Sequence, residues 1–316
     1  MREIVRKSFH FEFVVLTLSY NQPRFCLNTI WNSNGTMFTF WIFLPHLPYD
    51  IFVDSNNSIY MTKWEHFQIV IWQNENDFNS TKIQINNPSF GPFSLFVTTN
   101  GDIYIANEKS NHSVDKWIVE NETWISIMNV TSRCYDLFID IYESLYCSMY
   151  FSHRVDKKWL NDTEAIVAGT GDNGSSSNML RRPYGIFVDI NLDLYVADSG
   201  NNRIQLFRLN QRRGITVAGK RSAKLTIELN SPTGVILDGD QHLFIVDCGN
   251  HRIIGSDENG FRCIFGCFGG GETDDKLYNP QAMSFDSYGN IYVTSSDTHR
   301  IQKIVKNNIC GKKIYI

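Results

Sequence analysis

Two acidic residues stand at equivalent places in a pattern that recurs along the chain, and a tyrosine precedes each of them. The pairs are Tyr49-Asp50 and Tyr135-Asp136, and Tyr184 occupies the tyrosine position in a third copy. Equivalent positions of a repeat converge when the copies pack around one axis, so we predict that these five residues form a ligand-binding site. A structural interpretation stays open, because the same residues can cap strand starts and pack between neighbouring copies.

The residue types at this position limit the chemistry. Two carboxylates could bind a cation weakly, but metal sites usually need histidines or more oxygen ligands. The corresponding pairs in the other copies are Phe93-Ser94, Tyr184-Gly185, Thr233-Gly234 and Gln281-Ala282. None of them adds an acid or a histidine, and the eight histidines of the chain are scattered. We therefore predict no catalytic residue, no metal and no cofactor.

The repeat itself predicts the elements that position these residues. One copy has a strand-like run at 186–188, a second at 194–197 and a turn at 198–202 before a third strand. The second runs align on aromatic residues at Tyr60, Tyr104, Tyr146, Tyr195, Phe244 and Tyr292. Their spacing of about 42–49 residues is typical of propeller blades.

The turn after the second run carries the most specific motif. Asp198-Ser-Gly-Asn-Asn-Arg-Ile204 and Asp247-Cys-Gly-Asn-His-Arg-Ile253 resemble the signature of NHL repeats, over about 270 residues in all. The resemblance implies an all-β, six-bladed β-propeller. We assign residues 1–30 to an N-terminal segment and 31–316 to the propeller.

Most residues of this motif have an expected structural role. Asn and Gly tolerate the positive φ that the turn needs, and the Arg can form a charge-assisted bond to the Asp of the preceding strand. The residues assigned to this role are Asp198, Asn202, Arg203, Asp247, Asn250, His251, Arg252, His299 and Arg300. In the first copy, Lys63 and Gln68 replace the Asp and the Arg, so the early blades are expected to be less regular.

The ends of the chain are predicted to meet. The last copy has only three strands of its own, and the strand-like run at 36–40 can supply the fourth, so an N-terminal strand closes the ring. Three cysteine pairs fit this arrangement and leave Cys248 over: Cys26 with Cys310, Cys134 with Cys147, and Cys263 with Cys267.

Cysteines and glycosylation motifs favour an extracellular protein, with a cytoplasmic location as the alternative. Eight Asn-x-Ser/Thr motifs start at Asn34, Asn56, Asn79, Asn111, Asn121, Asn129, Asn161 and Asn173. Such motifs matter only in a secreted chain. Within residues 1–30, the stretch 9–18 resembles a weak secretory signal, but its alternating Phe residues also suit an extra strand.

Function is predicted from the resemblance and from charge. The net charge of −4 makes nucleic acid an unlikely partner, and no apolar run is long enough to span a bilayer. We expect a monomeric, non-catalytic scaffold that binds an unidentified protein or small molecule. The first alternative is an intracellular NHL propeller that recognises substrates for a ubiquitin ligase or regulates RNA. The second is an enzyme similar to the metal-dependent propeller lyases and lactonases.

Overall fold

The chain folds into six four-stranded antiparallel sheets, which confirms the predicted all-β, six-bladed propeller. The computed structural model describes residues 20–26, 29–39, 48–63, 68–73, 82–86, 91–107, 112–159, 163–222 and 226–307. The predictions for Cys310, Asn79, Asn111, Asn161 and the stretch 9–18 lie outside these residues. Among the described residues, no helix is long and apolar enough to cross a membrane.

The first three blades come from residues 48–168. Blade 1 contains β2 (Pro48–Val53), β3 (Ile59–Lys63), β4 (Gln68–Trp72) and β5 (Lys82–Asn86). Blade 2 contains β6 (Pro92–Val97), β7 (Ile103–Asn107), β8 (Ser113–Ile118) and β9 (Thr123–Asn129). Blade 3 contains β10 (Cys134–Ile139), β11 (Leu145–Met149), β12 (Arg154–Lys158) and β13 (Glu164–Ala168).

The other three blades use residues 183–304 and one strand from the start of the chain. Blade 4 contains β14 (Pro183–Val188), β15 (Leu194–Asp198), β16 (Arg203–Phe207) and β17 (Ile215–Gly219). Blade 5 contains β18 (Gly234–Leu237), β19 (Leu243–Asp247), β20 (Arg252–Asp257) and β21 (Gly260–Phe265). Blade 6 contains β22 (Pro280–Phe285), β23 (Ile291–Ser295), β24 (Arg300–Ile304) and β1 (Thr36–Thr39).

The strands form where β-branched and aromatic residues cluster, and burial follows their place in the ring. Each second strand lies between two neighbouring blades, so both of its faces need apolar cover. The second strands of blades 1, 3, 5 and 6 are buried at every residue. The first strand of each blade lies innermost and contributes to the wall of the central channel.

The sixth blade joins the two ends of the described chain. β1 pairs antiparallel with β24, with Thr36 opposite Lys303. Phe38 packs against Trp72 of blade 1 and Tyr292 of blade 6, with ring centroids 5.6 and 5.5 Å away. This strand is therefore held by backbone pairing within one blade and by apolar contact with the next.

Two disulfides join described cysteines. Cys134 bonds to Cys147 across the β10–β11 hairpin, and Cys263 bonds to Cys267 at the end of β21. Cys26 is also disulfide-bonded, and its predicted partner lies outside the described residues. Cys248 is a free thiol, as predicted.

Each of blades 3 to 6 has a short 3₁₀ turn directly after its second strand. The turn ends on a left-handed residue, which is His153, Asn202, His251 or His299. The side chains of the first three accept a backbone N–H from the next blade; His153 Nδ1, for example, accepts from Arg182 at 3.2 Å. Partial burial and the nearby Arg182 lower the pKa of His153, which keeps the ring neutral and able to accept.

The Asp and Arg of the repeat turn form a buried ion pair in blade 4. Arg203 Nε donates to Asp198 Oδ2 at 2.7 Å, and both side chains are almost fully buried. The rest of the guanidinium donates to the carbonyls of Ser175, Ser176 and Met179 in the loop before the blade. In blade 1, Lys63 and Gln68 occupy the same register position without a carboxylate.

We expect Arg203→Ala to lower the free energy of unfolding by about 1–3 kcal/mol, because it leaves Asp198 buried with fewer partners. Thermal or urea unfolding measures the change. Arg213→Ala is the matched control, since Arg213 is exposed. Equal stability of the two variants would contradict a structural role for the ion pair.

Candidate active site in the central channel

The central channel holds a cavity of about 90 Å³ that residues from all six innermost strands line. Tyr49, Asp50, Tyr135, Asp136 and Tyr184 all lie on its wall, so the structure brings together the five residues that the sequence singled out. None of the nine repeat-turn residues lines it. The two sets of residues therefore belong to different parts of the propeller.

The acidic residues bridge neighbouring blades. Asp50 Oδ2 accepts the backbone N–H of Leu95 in blade 2 at 2.9 Å. Asp136 Oδ2 accepts that of Ile186 in blade 4 at 2.7 Å. Each carboxylate also accepts the N–H of the residue that follows it. These bonds match the structural interpretation of the two residues, which are called the acid pair below.

Ser94 occupies the equivalent position in blade 2 and makes the equivalent bond. Its Oγ accepts the N–H of Leu137 in blade 3 at 3.1 Å. The same hydroxyl donates to Asp136 Oδ1, also at 3.1 Å. The N–H of Leu137 is shared, because it also donates to Asp136 Oδ1 at 2.8 Å. A neutral serine can thus accept an inter-blade N–H of the kind that the acids accept at the other two junctions.

The surroundings of the acid pair disfavour two negative charges. Burial raises the pKa of Asp50 to about 6, although the N–H groups of Leu95 and Ile51 and the hydroxyl of Ser94 oppose the shift. Burial, and next the charge of Asp50, raises the pKa of Asp136 well above its usual range. Both shifts favour protonation of the acid pair at a higher pH than that of exposed carboxyl groups.

The acid pair nevertheless remains accessible from the cavity. Both side chains keep some accessible surface, because they line the channel wall. Protein atoms surround them on the other sides, and this is why desolvation dominates their pKa shifts. A small ligand in the channel can thus contact carboxyl groups whose pKa values are displaced, which is a frequent property of functional sites.

Aromatic rings line the cavity at the starts of the innermost strands of blades 1 to 4. Phe93 lies between Tyr49 and Tyr135, with centroid distances of 4.5 and 4.6 Å, and Tyr184 lies 4.9 Å from Tyr135. The hydroxyl of Tyr184 donates to Gln281 Oε1 at 3.0 Å. This group of rings, called the aromatic mouth below, offers flat apolar surfaces against which a ring-shaped ligand can stack.

Three residues of the site were missed by the sequence analysis. Ser94 could have been found, because it aligns with the two acids in the repeat. Gln281 also aligns, with Tyr184, but nothing in the sequence marks it as a hydrogen-bond partner of that tyrosine. Tyr20 lies ahead of the repeats, so no alignment of copies could place it in the channel.

The donor set does not fit a resident divalent metal. Each oxygen of the acid pair already accepts at least one hydrogen bond from the protein. No group of three or more His, Cys, Asp or Glu side chains among the described residues could hold a metal ion. Calcium takes six to eight oxygen ligands, and the two carboxyl groups offer four, each of which already accepts a hydrogen bond. We therefore derive no step that uses a metal.

Solved structures share the fold. A gluconolactonase from Xanthomonas campestris is 10% identical, with 90% of this chain and 100% of that chain covered and a TM-score of 0.61. Virginiamycin B lyase from Staphylococcus aureus is 12% identical, with coverage of 82% and 94% and a TM-score of 0.58. A chain of a nidogen–laminin complex is 16% identical, with coverage of 82% and 88% and a TM-score of 0.59.

Sequence comparisons give no closer relationship. No family model matches the chain, and no curated protein matches it. At 10–16% identity, the structural matches show the fold and leave the activity of this chain to be argued from its own site.

The expectation of a non-catalytic scaffold is contradicted. The gluconolactonase and the lyase are enzymes with this fold, so they favour the alternative of a propeller enzyme over the main prediction. The physical reason for the error lies in the acids. The sequence analysis treated Asp50 and Asp136 as ligand-binding residues, weak cation ligands or strand caps, and it did not consider that burial would displace their pKa values.

The acid pair predicts a pH-dependent cost to stability. The folded-state pKa of Asp50 lies above the unfolded value of about 4, so the folded protein binds the extra proton and loses stability as pH rises through about 6. A variant with Asp50→Ser and Asp136→Ser keeps the type of bond that Ser94 makes and lacks this cost. We expect the difference in free energy of unfolding between the variant and the wild type to grow in favour of the variant by about 1–3 kcal/mol as the pH rises from 4 to 7.

Unfolding by urea at several pH values measures this difference between the variant and the wild type. Added Ca²⁺ should leave both curves unchanged, because the donor set is too small for the ion. A variant that is less stable than the wild type by the same amount at every pH would show that the acids serve the fold alone.

Proposed function

We propose that this protein is a propeller enzyme that hydrolyses a small ester or lactone with Asp50 and Asp136 as its acid–base pair. One observation carries the proposal: Ser94 makes the same bond between blades with a neutral hydroxyl. Two buried carboxyl groups whose pKa values burial raises, that of Asp136 also through the charge of Asp50, cost stability without being needed for that bond. Residues kept at such a cost are candidates for acid–base chemistry.

The pKa shifts of Asp50 and Asp136 suggest which of them acts as the base and which as the acid in the proposed reaction. Asp50, whose pKa is about 6, is ionised first and takes a proton from a water molecule in the cavity. The resulting hydroxide oxygen bonds to the ester carbonyl carbon, and the bond from that carbon to the alcohol oxygen then breaks. Asp136, whose pKa is raised well above its usual range by burial and by the charge of Asp50, donates a proton to the departing oxygen. One water is consumed, and an acid and an alcohol form.

Ser94 completes the cycle in this proposal. After one turnover Asp50 carries a proton and Asp136 has lost one. The Ser94 hydroxyl donates to Asp136 Oδ1 and also interacts with Asp50. It can give its proton to Asp136 and take another from Asp50, which restores the starting state without solvent.

The substrate class follows from the cavity and is supported by the matches. A cavity of about 90 Å³ admits a small molecule or one end of a larger one. The aromatic mouth suits a ring, and one similar fold is that of a gluconolactonase. A lactone combines a ring with a hydrolysable ester, so it is the substrate type that we favour.

We also propose that the repeats are of the NHL type and that the protein is extracellular. The left-handed His and Asn residues that accept an N–H from the next blade support the first assignment. Two disulfides between described cysteines support the second. The described asparagines of the glycosylation motifs are exposed, as that location requires: Asn34, Asn56, Asn121, Asn129 and Asn173.

The enzyme proposal predicts measurable turnover of lactones. Purified protein is incubated with γ-valerolactone, δ-valerolactone and glucono-δ-lactone, and acid release is followed with a pH indicator. We expect at least one lactone to be opened at a rate that rises as pH increases through about 6, where Asp50 ionises. Asp136→Asn and Asp50→Ser should each reduce kcat by about 10²–10⁴.

Two controls separate chemistry from folding. Asp172→Asn changes an exposed acid outside the cavity and should leave turnover unchanged. A chelator should also have no effect, because no step uses a metal. Hydrolysis that survives both acid-pair substitutions, or that is absent for every lactone in the wild type, would overturn the proposal.

Extracellular location predicts glycans on a secreted product. The protein is expressed in a eukaryotic host behind an added signal, and its intact mass is measured before and after deglycosylation and reduction. We expect a loss of mass on deglycosylation and a gain of hydrogens on reduction that corresponds to the disulfides. An unglycosylated, fully reduced product would favour an intracellular protein.

A further inference from the structure

A segment ahead of the propeller closes one end of the channel. The ring of Tyr20 packs edge-on against three phenylalanines of inner strands, Phe96, Phe138 and Phe187, with centroids 6.3, 5.3 and 5.5 Å away. Tyr20 and Asn21 both line the cavity of the candidate active site. Phe96, Phe138 and Phe187 lie three residues further along their strands than Phe93, Tyr135 and Tyr184. Tyr20, called the floor below, and the aromatic mouth therefore lie at different ends of the cavity.

Hydrogen bonds to three blades hold this floor in place. Asn21 Nδ2 donates to the carbonyls of Asp54 in blade 1 and Phe285 in blade 6, at 2.8 and 3.1 Å. Gln22 Nε2 donates to the carbonyl of Leu237 in blade 5 at 3.3 Å. The carbonyl of Pro23 accepts the N–H of Gly239 at 3.0 Å. A segment with anchors on three separate blades is a fixed part of the ring.

A tight fit at Gly239 supports the same conclusion. A Cβ atom at this glycine would lie 2.7 Å from Arg24 Cγ and 2.9 Å from the Gln22 carbonyl oxygen. Residue 239 must therefore lack a side chain for the segment to lie where it does. Phe25 then packs on Trp31 with centroids 5.0 Å apart, and Cys26 is disulfide-bonded.

Apolar groups line the cavity next to the floor. In blades 2, 3 and 4 a phenylalanine follows the Leu or Ile whose N–H donates the inter-blade bond, and blade 1 has Phe52 at the same position. Ile236 and Phe285 continue this lining in blades 5 and 6. A polyhydroxylated group here would lose its hydrogen bonds to water, whereas an alkyl or aromatic group would gain apolar contact.

We propose that Tyr20 is a specificity-determining residue that contacts the substrate, and that the substrate carries an apolar group that ends against its ring. The acid pair then lies beside the ester while the apolar group extends toward Tyr20. The assignment of the reaction rests on the proposed function, but the position and character of the floor do not. The substrate class is an alkyl- or aryl-substituted lactone, in contrast to a sugar lactone.

The test compares chain-length preference in the wild type, Tyr20→Ala, Tyr20→Leu and Tyr20→Phe. The substrates are γ-lactones whose γ-carbon carries a linear chain from methyl to heptyl. In the Ala and Leu variants we expect kcat/KM for long chains, relative to short chains, to rise roughly tenfold, because the floor recedes. Tyr20→Phe keeps the ring and should keep the wild-type preference. Tyr20→Leu serves if Tyr20→Ala fails to fold.

A binding experiment distinguishes the floor from the reaction. Calorimetry with 1-alkanols from butanol to octanol measures the same length preference without turnover. A shift toward longer alkanols in Tyr20→Leu, with no lactone hydrolysed by any form, would keep the floor and overturn the enzyme proposal. Lactone hydrolysis with an unchanged length profile in folded Tyr20→Ala and Tyr20→Leu would overturn the floor and keep the enzyme.

Discussion

The propeller depends on hydrogen bonds between innermost strands that share no β-ladder. A strand at the edge of a sheet has backbone groups without partners, and burial makes those groups costly. In this ring, hydrogen bonds outside the sheets join every pair of neighbouring inner strands. They involve the side chains of Asp50, Ser94, Asp136, Thr233 and Ser284, and the backbone N–H of Gly185. The wall of the channel is thus also what joins the blades.

Because the same side chains line the cavity and join the blades, the fold holds the candidate site in a fixed geometry. The acids that would act on a substrate are the same groups that connect blade 1 to blade 2 and blade 3 to blade 4. Bonds to backbone N–H groups fix the direction of each carboxylate before any ligand enters, and such preorganisation lowers the cost of reorganisation during a reaction. The fixed floor at Tyr20 completes a cavity whose shape the fold itself determines.

Repetition made the fold predictable and also limited what the sequence could show of the site. Six copies at a nearly constant period imply six blades, and the alignment of those copies placed Asp50 beside Asp136 in the channel. Two properties do not repeat and could not be predicted in this way. The pKa shifts arise from burial by several blades together, and Tyr20 reaches the channel through a segment that has no counterpart in any copy.

The shared sixth blade has a consequence for synthesis of the chain. β1 is the first of the described strands in chain order, and its ladder partner among them, β24, follows about 270 residues later. Ribosomes add about 5–20 residues per second, so β1 waits roughly 15–50 seconds for that partner. During this time its edge is exposed beside other nascent chains. Closure of the sixth blade is therefore the step at greatest risk in producing this protein, because β1 is free to pair with a wrong neighbour until β24 has been made.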